Sequence, residues 1–219
     1  RYNSYTYGYQ NFDRPNQAFW ATNATAQGED TNYTNFAIDN TAGTIVLKVG
    51  DGTEGEKQPG PKLMTTTGYG VFPWNGRGGF APLHYVPGNA KYFQIRFKLD
   101  NVVSTGSNTI QLEYHYNNEK GVDAIKYGDL NTAFTFKTGE YQVITAPLSN
   151  IFKGAAEITS FGVRFMNIRS GDATNLGTVT IDYLYVGTLA DLPTPAYTVT
   201  FKDGAGKTLA TQLVNRGES

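Results

Sequence analysis

The residues richest in potential chemistry lie between Thr67 and Pro87, where the chain reads TGYGVFPWNGRGGFAPLHYVP. Gly and Pro interrupt this stretch too often for a single strand, yet it carries Tyr69, Phe72, Trp74, Phe80, His84 and Tyr85. Large aromatics on a glycine-rich loop are costly to leave in water without a purpose. Trp74 and Tyr85 offer planes on which the C–H face of a sugar ring can stack, and Asn75, Arg77 and His84 supply hydrogen bonds for hydroxyls. The plainer alternative is that these side chains plug one end of the fold, the role expected of Phe72 and Phe80.

A second constellation emerges from alternation. In Tyr92–Leu99, Phe93, Ile95, Phe97 and Leu99 share one side, and Tyr92, Gln94, Arg96 and Lys98 the other. In Thr109–Tyr116, Ile110, Leu112, Tyr114 and Tyr116 oppose Gln111, Glu113 and His115. Were these two strands neighbours, Gln94 and Arg96 would stand beside Gln111, Glu113 and His115 on one polar face, with Tyr92 at its edge. Ser160–Met166 would add Arg164 by the same alternation. Planar amide, guanidinium and carboxylate groups suit the recognition of paired hydroxyls; an ordinary solvated face is the alternative.

Catalytic motifs are absent. Only His84 and His115 exist, and there is no Gly-x-Ser-x-Gly elbow, His-Glu-x-x-His, phosphate-binding loop or dinucleotide fingerprint. Glycoside hydrolysis needs two carboxyls at a set separation, and the arrangement to test is Glu113 with His115 or Asp123. The chain is expected not to be an enzyme.

The elements that would position these residues are strands. Among 219 residues there are 15 Tyr, 13 Phe and 25 Gly, aromatics reach 14%, and helix-period stretches of useful length are missing. Further strand patterns cover Thr44–Val49, Ala133–Phe136, Tyr141–Ala146 and Thr178–Val186, punctuated by Asn- and Gly-rich turns. Many short strands with such turns predict an all-β fold, an antiparallel β-sandwich of the jelly-roll kind. Tyr5, Tyr7 and Tyr9 alternate near the start and are expected to pack on a sheet edge. With a net charge of −1 there is no basic footprint for nucleic acid, and no apolar run approaches the ~18 residues of a membrane span. The absence of cysteine excludes disulfides and thiolate metal sites.

Composition shifts near Leu189. Residues 1–188 read as the sandwich and 189–195, with Asp191-Leu192-Pro193-Thr194-Pro195, as a stiff linker; 196–219 read as a hairpin opening a second module. In that last segment, Tyr197–Phe201, the Asp203-Gly204 turn and Val214–Glu218 resemble the opening of the Listeria–Bacteroides repeat, a spacer module of bacterial surface and secreted proteins. That resemblance implies export and a modular chain, of which this is expected to be a segment, monomeric and extracellular or on the cell surface.

The main segment more loosely resembles the galactose-binding-like β-sandwich of carbohydrate-binding modules. The resemblance rests on Asn11-Phe12-Asp13 near the start and on the final strand Val179-Thr180-Ile181-Asp182-Tyr183-Leu184-Tyr185-Val186. It implies polysaccharide or oligosaccharide binding and a structural calcium ion held by Asp13 and Asp182, oxygen ligands that suit a hard cation; two ordinary aspartates are the alternative. The expected function is thus non-catalytic polysaccharide binding. A structural or adhesive surface domain is the principal rival, and a jelly-roll lyase or hydrolase the weaker one.

Overall fold

The structure, a computed structural model, describes residues 9–10, 20–21, 36–39, 41–51, 61–65, 69–70, 81–82, 91–118, 123–148, 155–187 and 196–215. Among them every regular element is a strand: β1 (Tyr9–Gln10), β2 (Trp20–Ala21), β3 (Phe36–Asp39), β4 (Thr44–Lys48), β5 (Lys62–Thr65), β6 (Tyr69–Gly70), β7 (Ala81–Pro82), β8 (Tyr92–Asp100), β9 (Val102–Asn118), β10 (Asp123–Ala133), β11 (Tyr141–Pro147), β12 (Ala155–Ser170), β13 (Thr178–Gly187), β14 (Ala196–Lys202) and β15 (Thr208–Asn215). All the pairings are antiparallel. The all-β expectation holds.

Two sheets make the sandwich. The first runs β11-β8-β13-β4-β3, with β1 also paired to β13; the second runs β10-β9-β12-β5-β2. The alternating apolar residues of β8, Phe93, Ile95, Phe97 and Leu99, are fully buried against Ile110, Leu112, Val163 and Phe165 of the second sheet. Phe97 meets Phe165 edge-on at 5.0 Å and Phe134 at 5.2 Å, so aromatic edges join the two layers. Two-residue periodicity fixes which side each strand buries.

The chain changes sheet between β8 and β9, and this corrects one expectation. Asn101, at φ 52°, forms the corner between Asp100 and Val102; Asn tolerates this left-handed conformation better than most residues. β8 and β9, though consecutive, are therefore not sheet neighbours. Gln94 and Arg96 stand on one outer face of the sandwich, while Gln111, Glu113 and His115 belong to the second sheet. The proposed groove of all five does not form.

Two smaller corrections concern strand ends. The predicted strand Ala133–Phe136 is instead the end of β10 at Ala133, after which Phe134 turns into the core. Asp123 lies opposite Asn117, whereas Glu113 lies opposite Tyr127 and His115 opposite Ile125. The ladder thus does not bring Asp123 directly opposite either Glu113 or His115. The C-terminal hairpin forms as expected, β14 with β15, as its own two-stranded sheet. Its turn is closed by Asp203, whose Oδ1 accepts from the Ala205 and Lys207 amides, with Gly206 at φ 84°.

Candidate functional site

Strand β8 presents Gln94, Arg96 and Lys98 on the face of the first sheet that turns away from the core. Its neighbours place Tyr141, Val143 and Thr145 on one side, opposite Lys98, Arg96 and Gln94. On the other side stand Thr180, Tyr183 and Tyr185. A bulge decides this second row. Ile181 pairs with Phe97 and Tyr183 with Arg96, so Asp182 is the extra residue. Strict alternation would send Tyr183 inward; the bulge re-aims it outward.

A polar network occupies this outer face. Arg96 Nη1 donates to Asp182 Oδ2 at 2.9 Å, with side-chain exposures of 11% and 3%. The Tyr183 hydroxyl donates to Gln94 Oε1 at 2.7 Å, and Gln94 Nε2 donates to Thr145 Oγ1 at 2.9 Å. The Arg96 guanidinium lies 4.1 Å from the centroid of the Tyr141 ring, and Lys98 Nζ lies 5.7 Å from it. Lys98 Nζ is also paired with Asp100 Oδ2 at 3.0 Å. Burial pushes the Tyr141 phenol above its ordinary pKa; the Asp182 charge adds to this and Lys98 and Arg96 oppose it.

The face is therefore graded. Gln94, Asp182, Tyr183 and Tyr185 are buried although they turn away from the core. Along β11, the edge strand, Tyr141 is half-buried, Val143 is 48% exposed and Thr145 is exposed. The result is an open strip of aromatic ring, apolar methyls and hydroxyl, backed by a fixed layer of amide and guanidinium. Such a strip can pair ring C–H groups with Tyr141 and Val143 and hydroxyls with Thr145 and the exposed rim of Arg96.

The sequence-predicted residues thus part company. Gln94 and Arg96 are brought together, but Gln94 has both amide atoms engaged and supports the surface instead of lining it. Tyr92, half-buried, sits opposite Pro147 and Gly187 at the end of the same strand. On the second sheet Arg164 stands directly opposite Gln111, as alternation implied, and the register row continues to Lys62 and Asn131. Glu113 pairs with Gly162 and His115 with Ser160; their side chains lie outside the described residues. So do Trp74, Arg77, His84, Tyr85 and Asp13. The pairing of Tyr69 with Pro82 and Gly70 with Ala81 does close the base of the segment carrying Trp74 and Arg77.

Asp182, which the resemblance implied as a calcium ligand, is paired with the Arg96 guanidinium. Tyr141, Val143 and Thr145 were missed as site residues. Their alternation was legible in Tyr141–Ala146, but their place beside β8 depends on a pairing across more than forty residues, such as Gln94 with Thr145.

No protein-family model matches the chain, and no curated protein matches it. Solved structures do. The chain is similar to a GlcNAcα1-4Gal-releasing endo-β-galactosidase from Clostridium perfringens, with 14% identity and TM-score 0.40, over 91% of this chain and 66% of that one. It is similar to a structure holding a carbohydrate-binding module and the catalytic module of endo-1,4-β-D-xylanase 10B from Clostridium thermocellum, solved with xylohexaose. There the identity is 12% and the TM-score 0.33, over 84% of this chain and 28% of that one. A third is the enzymatically active domain of tailspike protein 4 of bacteriophage CBA120, at 12% identity and TM-score 0.36, over 85% and 21%. The chain spans less than two thirds of the length of each.

Proposed function

We propose that this chain is a non-catalytic carbohydrate-binding module that lays a polysaccharide along the open strip of β11. The observation that carries the reading is the pairing of an open β11 edge, with Val143 and Thr145 exposed and Tyr141 half-buried, with a buried layer that holds Arg96 and Gln94 in place. Preorganised contacts of this kind lower the cost of binding a flexible chain. Affinity electrophoresis tests it: gels containing starch, xylan, mannan, β-glucan, pectin or xanthan are run beside a polysaccharide-free gel. Retardation in at least one gel, lost on Tyr141→Ala, supports the strip. Retardation lost instead on Trp74→Ala would move the site to the Gly-rich loop, where Arg77, His84 and Tyr85 would join it.

The parent is proposed to be an exported, multidomain bacterial surface protein, with 196–219 opening a spacer repeat. The separate β14–β15 hairpin, exposed at Val199, Phe201 and Leu209, supports a module boundary before it. The same exposed residues favour the second reading, an adhesive or spacing domain, which total absence of retardation would promote.

Calcium at Asp13 and Asp182 belongs to the same set of proposals. The guanidinium on Asp182 favours the plain alternative, because a dication there would share the carboxylate with a fixed positive charge. Chelator is expected to leave the melting temperature unchanged; a drop of several degrees, reversed by added calcium, would restore the metal.

A further inference from the structure

Resting on that reading of the β11 strip, we infer that the polysaccharide it takes is uncharged. Each of the two cations beside the strip already holds a carboxylate: Arg96 holds Asp182 at 2.9 Å, and Lys98 holds Asp100 at 3.0 Å. The face therefore presents no net positive charge from these groups. The same cations also lie over the Tyr141 ring, which adds a second claim on their positions.

An acidic ligand would need one of these cations for itself. A uronate or sulfate that drew Arg96 away would break the ion pair to Asp182, a carboxylate at 3% exposure, and that penalty works against the complex. A sugar hydroxyl asks for less. It accepts one further N–H from a guanidinium that has five, and leaves the ion pair intact. Asp100, the more exposed partner of Lys98, additionally repels an anion arriving at the Tyr141 end. Tyr141 and Val143 contribute the apolar contact that a ring face can use whatever its charge.

The test compares neutral gels of starch, β-glucan and mannan with anionic gels of polygalacturonate and alginate, at low salt so that any attraction to anions is least screened. The expected result is retardation in at least one neutral gel, a Kd at least tenfold weaker or undetectable for both polyanions, and loss of the neutral retardation in Tyr141→Ala. Val143→Arg, a bulky change at an exposed position, provides a second block of the strip should Tyr141→Ala unfold. Retardation by a polyanion equal to or above that by the neutral chains would overturn the inference while leaving carbohydrate binding standing. Neutral retardation that survives both substitutions would place the site elsewhere and overturn it too. Free migration in every gel would overturn the binding reading, and the inference with it.

Discussion

Asp182 and Arg96 form the most consequential pair in the described structure because neither can be removed alone without cost. Asp182→Ala leaves a guanidinium with little access to water, and breaking a buried pair in this way costs about 3–5 kcal/mol. Replacing both, Arg96→Met with Asp182→Leu, is expected to restore most of the lost stability. Denaturant melts of the two variants check this, and equal destabilisation of both would refute it. Gln142 presents the opposite case. Its Nε2 is buried on the core face opposite Phe97 with no hydrogen-bond partner among the described residues. An orphaned donor of this kind costs about 1–3 kcal/mol, so Gln142→Met should raise the melting temperature or leave it unchanged. Tyr141 gives a pH signature. Its folded pKa lies above the unfolded value, so its contribution is fully present below the unfolded pKa and is lost as pH rises through the folded one. Wild type should therefore lose stability relative to Tyr141→Phe in strongly alkaline solution, and parallel stability curves would contradict the assignment.

At the scale of elements, one end of the sandwich is locked by a backbone clasp. Ser170 Oγ donates to the Val49 carbonyl and accepts from the Gly177 amide, each at 2.6 Å, while the Gly171 amide donates to the Asn101 carbonyl at 3.0 Å. This ties the end of β12 to the segment after β4, the start of β13 and the corner between β8 and β9. A Cβ at Gly177 would collide with the Asn101 carbonyl oxygen and with Val102. Gly177→Ala is expected to destabilise by about 1–3 kcal/mol through this overpacking, measurable by thermal or denaturant unfolding; a change below a few tenths would mean the corner yields easily. The strands themselves were readable because period-two alternation survives in isolation, as in Phe93–Leu99 and Ile110–Leu112. Their neighbours were not. The corner at Asn101 sends β9 to the other sheet, and the extra residue Asp182 reverses the alternation that would otherwise turn Tyr183 into the core. Both are one-residue events with effects across a whole face. A linear pattern carries no mark of which strand it will meet.

For the molecule as a whole, two sheets meet through an aliphatic and aromatic core while their outer faces differ. The first carries the open strip of edge strand β11 beside the ion pairs Arg96–Asp182 and Lys98–Asp100; the second carries the row Lys62, Arg164, Gln111 and Asn131. The hairpin β14–β15 forms a separate sheet and its described side chains are exposed. Truncation after Thr188 is therefore expected to leave the melting temperature within about 2 °C, since a ΔΔG of 1 kcal/mol shifts a domain of this size by about 2–4 °C; a larger fall would show that the hairpin braces the sandwich. The central claim is that the β11 strip holds the glycan. Its most direct test adds a soluble oligosaccharide, cut from whichever polysaccharide retards the protein, to isotope-labelled protein and follows the amide resonances. Shifts are expected to concentrate at Tyr141–Thr145 and at Gln94–Lys98; shifts confined to residues 71–80 or to the second sheet, with Tyr141–Thr145 unmoved, would contradict the claim.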